Sequence, residues 1–316
     1  MRNILVTMEL TPQQQKLFQN SNDNYHFIQQ KDLAEKHVAD AHVIIGNVPH
    51  NMLDHVKNLQ YLHLSIAGSD QVANHPLIKD KITLTNSTGC YGMGISEHML
   101  ASVLFFYKRF NQHYHNQQNA VWDSEGENRS IFGSKVLVLG LGDIGNNFAQ
   151  RMHLLNAEVK GIKRTPGVKP AYLRSLHQMD AIDDLIKDAD IIACSLPNTK
   201  ETHHIINKHR LGLMKDDALL INVGRGSAID TQALIAHLRN KPMFCAALDV
   251  FEEEPLPKDN PLWQMANVQI TPHVSGRRNL AYTREKLVDL ALSNLNAFLN
   301  DNPLRNVVDF NTGYRR

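Results

Sequence analysis

With 316 residues, 42% of them hydrophobic and 21% charged, the chain is long enough for two domains, each with its own core. A formal net charge of +1 excludes the broad basic field of a nucleic-acid or membrane-surface binder, so anions must be held locally. Three scattered cysteines, Cys90, Cys194 and Cys245, exclude a disulfide framework and fit a reducing compartment. With no signal-like start and no run near the roughly 20 apolar residues of a bilayer span, the expectation is a soluble cytoplasmic protein.

Short apolar, β-branched runs predict strands at 4–8, 42–46, 62–66, 82–85, 135–140, 158–162, 191–196, 219–223, 245–250 and 268–271. They are mostly continuous rather than alternating, the pattern of parallel strands covered on both faces. Helical stretches lie between them, the first opened by Thr11-Pro12 as N-cap and first helical residue. Two longer helices are predicted at 96–115 (Met99, Leu100, Val103, Leu104, Phe105) and 277–299 (Val288, Ala291, Leu292, Leu295, Leu299). Each flanks the central block, where a connection between domains would run. The polar segment 116–133 reads as a surface loop. The βαβα alternation implies an α/β chain of two doubly wound parallel-sheet domains. One spans 96–278, and the other combines 1–95 with 279–316.

The strand at 135–140 runs into Gly140-Leu141-Gly142-Asp143-Ile144-Gly145 and then into an amphipathic stretch reaching Leu155. Strand, Gly-x-Gly-x-x-Gly and helix in this order form a dinucleotide-binding turn. Gly140 permits the tight turn, Gly142 lets the backbone approach a pyrophosphate, and Gly145 lets helix and strand pack closely. The helix start, at Asp143 and Ile144, offers free N–H groups and a favourable dipole to phosphate.

The tip of the next strand selects the cofactor. An NAD site carries an acid there, about 20 residues past the glycines, for the ribose 2′-hydroxyl. This chain has Lys163, Arg164 and Thr165 instead. Two cations and a hydroxyl attract a 2′-phosphate that an acid would repel. NADP is therefore expected over NAD; the alternative is a solvated basic turn.

Three later segments complete the pattern: Asn222-Val223-Gly224-Arg225-Gly226, then Leu248-Asp249-Val250-Phe251-Glu252-Glu253-Glu254-Pro255-Leu256-Pro257, then Thr271-Pro272-His273-Val274-Ser275-Gly276. In this order and spacing the chain closely resembles the D-isomer-specific 2-hydroxyacid dehydrogenases, which include D-lactate dehydrogenase-like enzymes, glyoxylate and hydroxypyruvate reductases and phosphoglycerate dehydrogenase. The resemblance covers nearly the whole chain and is strongest over 135–276; residues 67–70 and 86–89 look like the family's substrate-side loops. It implies a Rossmann nucleotide-binding domain inserted in a flavodoxin-like substrate domain, a site in the cleft between them, and a homodimer. The implied reaction is NADP-dependent reduction of a small 2-keto acid to a D-2-hydroxy acid by hydride transfer.

The resemblance also implies roles. Arg225 anchors the substrate's carboxylate and keto oxygen, which a planar fork of donors suits. His273 is the general acid of reduction and the base of the reverse reaction. Glu254, directly before the Pro-Leu-Pro segment, bonds the other ring nitrogen, orients the ring and favours its protonated form. Glu252 and Glu253 are left as exposed turn residues. Gly68 and Ser69 offer backbone N–H groups to the carboxylate. Ser195, Leu196, Pro197 and Thr202 lie at the cofactor edge, and Val223 and Gly224 border the nicotinamide. Asp249 either accepts from the carboxamide or ties two strand ends.

No metal is expected. Among 17 histidines the close pairs His113/His115 and His203/His204 lack a cysteine or carboxylate at zinc spacing and read as solvated. Cys194 reads as core and Trp263 as a packing residue. Arg277 and Arg278 cap the site edge, recruit an anionic substrate tail or begin a solvated helix. Tyr91 and Cys90 are candidates for lining the pocket, whose shape near 46–47 and Ile66 selects the keto acid; that choice stays open. Two rival functions remain. A formate or phosphite dehydrogenase is disfavoured because relatives acting on formate carry glutamine where Glu254 stands. A nucleotide-sensing corepressor or binding protein on the same fold is disfavoured by the absence of long partner-binding tails.

Overall fold

The continuous apolar runs form the buried strands of two parallel sheets, in a computed structural model that describes residues 1–19, 21–124, 126–276 and 280–315. The chain divides into two compact units, Met1–Tyr91 with Arg278–Arg316, and Gly92–Arg277. The boundaries expected from the sequence are 95/96 and 278/279.

In the first unit, strands β1 (Asn3–Val6), β2 (Asn24–Phe27), β3 (Val43–Ile45), β4 (Tyr61–His63) and β5 (Thr83–Thr85) form one sheet in the order β2–β1–β3–β4–β5. All its pairings are parallel, with Ile4 beside Val43 and Leu62 beside Leu84. This is the flavodoxin-like doubly wound order. Leu5, Ile44, Leu62 and Leu84 pack with Val38, Leu53 and Ile78 in one core. The first helix, Pro12–Phe18, starts at Thr11 with a complete capping box to Gln14, which satisfies N–H groups a helix start otherwise leaves open. The returning helix Ala281–Leu299 buries Leu287, Leu290, Ala291 and Leu295.

In the second unit, β6 (Lys135–Leu139), β7 (Glu158–Ile162), β8 (Ser175–His177), β9 (Ile191–Cys194), β10 (Leu219–Asn222), β11 (Cys245–Leu248) and β12 (Val268–Ile270) line up as β12–β11–β10–β9–β6–β7–β8. Every pairing is parallel. This is the Rossmann order, which reverses direction between β6 and β9. β9 and β10 are buried along their whole length, as all-parallel strands between helical layers must be. Ligands of such sheets gather beyond the carboxyl ends of the strands, at the reversal. The turns that follow these strands are therefore where such a fold places functional side chains.

The structure departs from the sequence-based expectation at several places. β2 and β8 were not anticipated. Both are edge strands, Asn-Tyr-His-Phe and Ser-Leu-His, and neither has a fully buried residue, so no apolar run marks them. The helix expected at 96–115 is two helices, Gly92–Tyr107 and Phe110–Gln118. They break at Arg109, which takes φ 53 and donates from Nε to Glu127 O at 2.9 Å. A left-handed arginine costs about 1–2 kcal/mol, and no glycine or proline announces it. The final helix starts at Ala281 rather than 277, and Arg277 and Arg278 lie outside the described residues.

Candidate active site

Each functional segment of the second unit follows a strand. After β6, Gly140 takes φ 94, and a Cβ there would lie 2.9 Å from Ser195 O. A Cβ on Gly145 would lie 2.0 Å from Gly140 O. Gly142 differs: a Cβ there would meet nothing within 4 Å. So two glycines close the turn, and the third leaves open space in front of the helix Asp143–Leu154. An open backbone cradle at a helix start fits the pyrophosphate of a dinucleotide. The Asp143 carboxylate is engaged within the unit. It accepts from Gly92 N at 2.7 Å and from Asn147 Nδ2 at 3.2 Å, which leaves main-chain groups at Asp143 and half-buried Ile144 to face a phosphate.

The loop after β9 supports this turn. The Ser195 hydroxyl donates to Gly140 O at 2.7 Å. Leu196 is buried, and a Cβ on Gly224 would lie 2.6 Å from Leu196 O, so the Val223-Gly224 turn lies directly on this loop. Thr202 donates to Pro197 O at 2.6 Å and closes the 197–202 turn. After β7, Lys163, Arg164 and Thr165 are exposed. Among the described residues no carboxylate comes within ion-pair distance of Lys163 or Arg164. The Glu201 carboxyl lies below the usual range because of its own backbone N–H and the Thr199 hydroxyl, with the field of Arg164 adding to both.

Arg225, Glu254 and His273 follow β10, β11 and β12, three adjacent strands. Buried Asn222 folds its amide over the first turn, donating to Arg225 O at 3.0 Å and accepting from Gly224 N at 3.1 Å. Half-buried Arg225 is thereby presented from a fixed turn and donates to Gly224 O. A Cβ on Gly226 would lie 1.9 Å from the carbonyl of Phe251, so the Arg225 turn rests on the loop that carries Glu254. Phe251 N–H donates to Glu254 Oε1 at 2.9 Å, and Glu254 Oε2 lies 2.7 Å from His273 Nδ1. An ionised carboxylate only accepts, so Nδ1 carries a proton. Nε2 has no partner among the described residues and is the ring atom open to a ligand.

His273 is held by Asp249. The Asp249 carboxylate is buried and takes four donors from 271–275: the Thr271 hydroxyl at 2.6 Å, Val274 N–H at 2.9 Å, Ser275 N–H at 3.0 Å and the Ser275 hydroxyl. His273 N–H in turn donates to Asp249 O. These bonds hold the histidine at φ 51, a conformation that persists only where its surroundings over-determine it. Of the two roles left open for Asp249, tying strand ends is the one its bonds display. Asn222, Thr271 and Ser275 support the site without having been singled out; their motifs were in view, but not their partners.

Glu252 is exposed, as expected of a turn residue, but its carboxylate is bonded to His204, expected to be solvated, and accepts from Thr231 N–H. Their separation of 48 residues hides the pairing from any local pattern. In the first unit, Tyr91 is buried and donates to Ser65 O. The Ser69 hydroxyl donates to Gly313 O at 2.7 Å. Ser69 is buried, and among the described residues no acceptor is bonded to the Gly68 and Ser69 N–H groups. No group of three or more His, Cys, Asp or Glu among the described residues is placed to hold a metal, and no helix there is long and apolar enough to cross a membrane.

The family model for the NAD-binding domain of D-isomer specific 2-hydroxyacid dehydrogenases matches residues 100–275. The chain belongs to this family. A glyoxylate reductase of Thermofilum pendens is 30% identical over 264 residues, covering 81% of this chain and 77% of the relative. A glyoxylate/hydroxypyruvate reductase B of Yersinia pestis is 31% identical over 255 residues, covering 79% and 77%. Among solved structures, a family protein from Aeromonas salmonicida is 28% identical, with a TM-score of 0.85 over 98% of this chain and 99% of that one. A second, from Xanthobacter autotrophicus in complex with NADPH and MES, is 25% identical, with a TM-score of 0.81 over 99% of both chains. The protein is thus an oxidoreductase of the 2-hydroxyacid dehydrogenase type, and its second unit is the nicotinamide dinucleotide-binding domain.

Proposed function

We propose that this dehydrogenase reduces a small 2-keto acid to the D-2-hydroxy acid with NADPH. The observation that carries the reading is the 2.7 Å bond between His273 Nδ1 and Glu254 Oε2, on a loop packed against the Arg225 turn. NADPH, when bound at the Gly142 cradle, supplies the hydride that reaches the keto carbon. Arg225 grips the substrate carboxylate and polarises the keto oxygen. His273 gives that oxygen the proton held on Nε2 as the alkoxide develops. Glu254 keeps Nδ1–H in place, fixes the ring and stabilises its charged form before transfer. In the reverse direction the neutral Nε2 takes the proton back.

Support for NADPH comes from Lys163 and Arg164, exposed with no acid among the described residues in ion-pair reach, and from the NADPH complex of the Xanthobacter relative. Support for a small keto acid comes from the relatives named as glyoxylate or hydroxypyruvate reductases. The test follows reduced-nicotinamide absorbance with NADPH and NADH in parallel, over pyruvate, glyoxylate, hydroxypyruvate and bulkier branched or aromatic keto acids. Turnover with NADPH preferred is expected. His273→Ala should lower kcat by about 100-fold or more while NADPH still binds. Binding of NADPH with no turnover on any acid would overturn the reading in favour of a nucleotide-sensing protein.

A further inference from the structure

Glu252 lies two residues before Glu254 and takes no part in the steps above, yet its carboxylate joins three segments. Oε1 accepts from His204 Nε2, and Oε2 accepts from Thr231 N–H at 2.9 Å. Burial pushes the Glu252 carboxyl up, but the bonds from Thr231 and His204 outweigh it and leave it below the usual carboxylate range. It is therefore ionised at neutral pH, and His204 Nε2 must carry the proton between them.

The surroundings make this more than a surface pair. His204 takes φ 48, and its ring stacks on His203 at 4.0 Å. Its N–H donates at 2.7 Å to Ser227 O, two residues beyond Arg225, and Ile206 N–H donates to Ala228 O at 2.9 Å. The Ser227 hydroxyl donates to Asn198 Oδ1 at 2.8 Å. Segment 198–206, which continues the Ser195-Leu196-Pro197 loop, is thus joined along its length to the segment that carries Arg225. Glu252 then fastens both to the loop that carries Glu254.

We propose that Glu252 and His204 are positioning residues, a clamp that keeps the Arg225 turn in register with the Glu254–His273 pair. The proposal rests on the function proposed above for Arg225, Glu254 and His273. Neither residue touches substrate. The clamp acts by fixing the distance across which a keto acid is held at one end and protonated at the other, and small misplacements of such groups are costly.

The test compares Glu252→Ala, His204→Ala and the double variant of the full chain, with the exposed neighbour Glu253→Gln as control. Two quantities are read: keto-acid kinetics at saturating NADPH, and amide hydrogen exchange over 224–231 in the unliganded protein. Each single variant should raise the keto-acid KM about tenfold and quicken exchange, with the NADPH Kd and Tm almost unchanged because the pair is part-exposed. The double variant should be no worse than the worse single one, since either change opens the same clamp. His204→Gln, whose amide can still donate to Glu252, should recover most of the loss. Unchanged KM and exchange in Glu252→Ala would overturn the proposal, as would single losses that multiply in the double variant. If the alanine variants fail to fold, Glu252→Leu and His204→Leu, which fill the space but make neither bond, carry the same comparison. If the wild type reduces no keto acid, the functional reading falls alone and exchange decides the clamp. Faster exchange in both single variants then supports it, and unchanged exchange sinks it.

Discussion

His63, at the end of β4, is wholly buried, and its neighbours suit only the neutral ring. Ser87 donates to Leu64 O at 2.8 Å, so its oxygen accepts from His63 Nε2 at 3.4 Å. Tyr61 O–H then donates to Thr85, and Thr85 to His63 Nδ1, each at 2.8 Å. A second proton, on Nδ1, would face the Thr85 hydroxyl and the Asn294 amide nitrogen, with no carboxylate among the described residues bonded to the ring. Burial accordingly pushes the imidazole down from 6.5 to about 4. Between these values the unfolded chain binds a proton that the native chain does not. Stability is therefore full above the unfolded pKa, falls as pH drops through the window and levels off below about 4. At about 1.4 kcal/mol per pH unit, the loss is about 3 kcal/mol, a large part of the roughly 5–15 kcal/mol that holds a domain folded. Trp122 and Trp263 both lie in the second unit, so hydrogen exchange at β4 and β5 reads the first unit while tryptophan fluorescence reads the second. Wild type should lose protection in β4 and β5 between about pH 7 and 4.5. His63→Gln, which cannot titrate, should lose about 3 kcal/mol less across that window, even if it starts less stable. Equal acid dependence in the two proteins would refute the argument that His63 is forced neutral.

The glycine turn separates binding from folding. Gly142→Ala enters open space, so its Tm should hold while the dinucleotide Kd rises about tenfold or more; Gly145→Ala puts a methyl 2.0 Å from Gly140 O and should lower Tm by several degrees, both read by thermal melts and NADPH titration. Lys163→Asp should move the ratio of kcat/KM from NADPH towards NADH by about 100-fold, since it replaces a cation with an anion at the place proposed for the 2′-phosphate; an unchanged ratio would refute that placement. Asp249→Asn should cost about 2 kcal/mol of stability in denaturant unfolding, because an amide nitrogen then faces the Ser275 N–H. The same change should lower kcat by freeing the turn under His273, while His273→Asn, with Asp249 intact, should leave stability nearly unchanged.

Much of this molecule was legible because two kinds of constraint leave local marks. Strands buried on both faces must be apolar without interruption, so β6, β9, β10 and β11 stood out within one or two residues of their ends. Turns that approach a phosphate need glycine where a side chain would collide, so Gly140, Gly142 and Gly145 could be given separate reasons before the space around each was known. The edge strands β2 and β8 escaped because an edge strand can stay polar, and the break at Arg109 because a charged residue took a conformation usually left to glycine. The site divides in the same way. In the proposed mechanism Arg225, Glu254 and His273 carry chemistry that demands those side chains, and each follows a strand end that the apolar pattern had marked. What holds them in place is a set of bonds between segments far apart in the chain: Glu252 to His204, Asp249 to Ser275, Gly226 against Phe251. A carboxylate that accepts from a distant N–H looks, in sequence, like any exposed acid. Three consecutive glutamates therefore read as one role and two bystanders, although the fold gives Glu252 as many bonds as Glu254. The spacing of reactive residues thus points to a family of reactions, while the bonds that would hold those residues in place lie in partnerships that only the folded chain brings together.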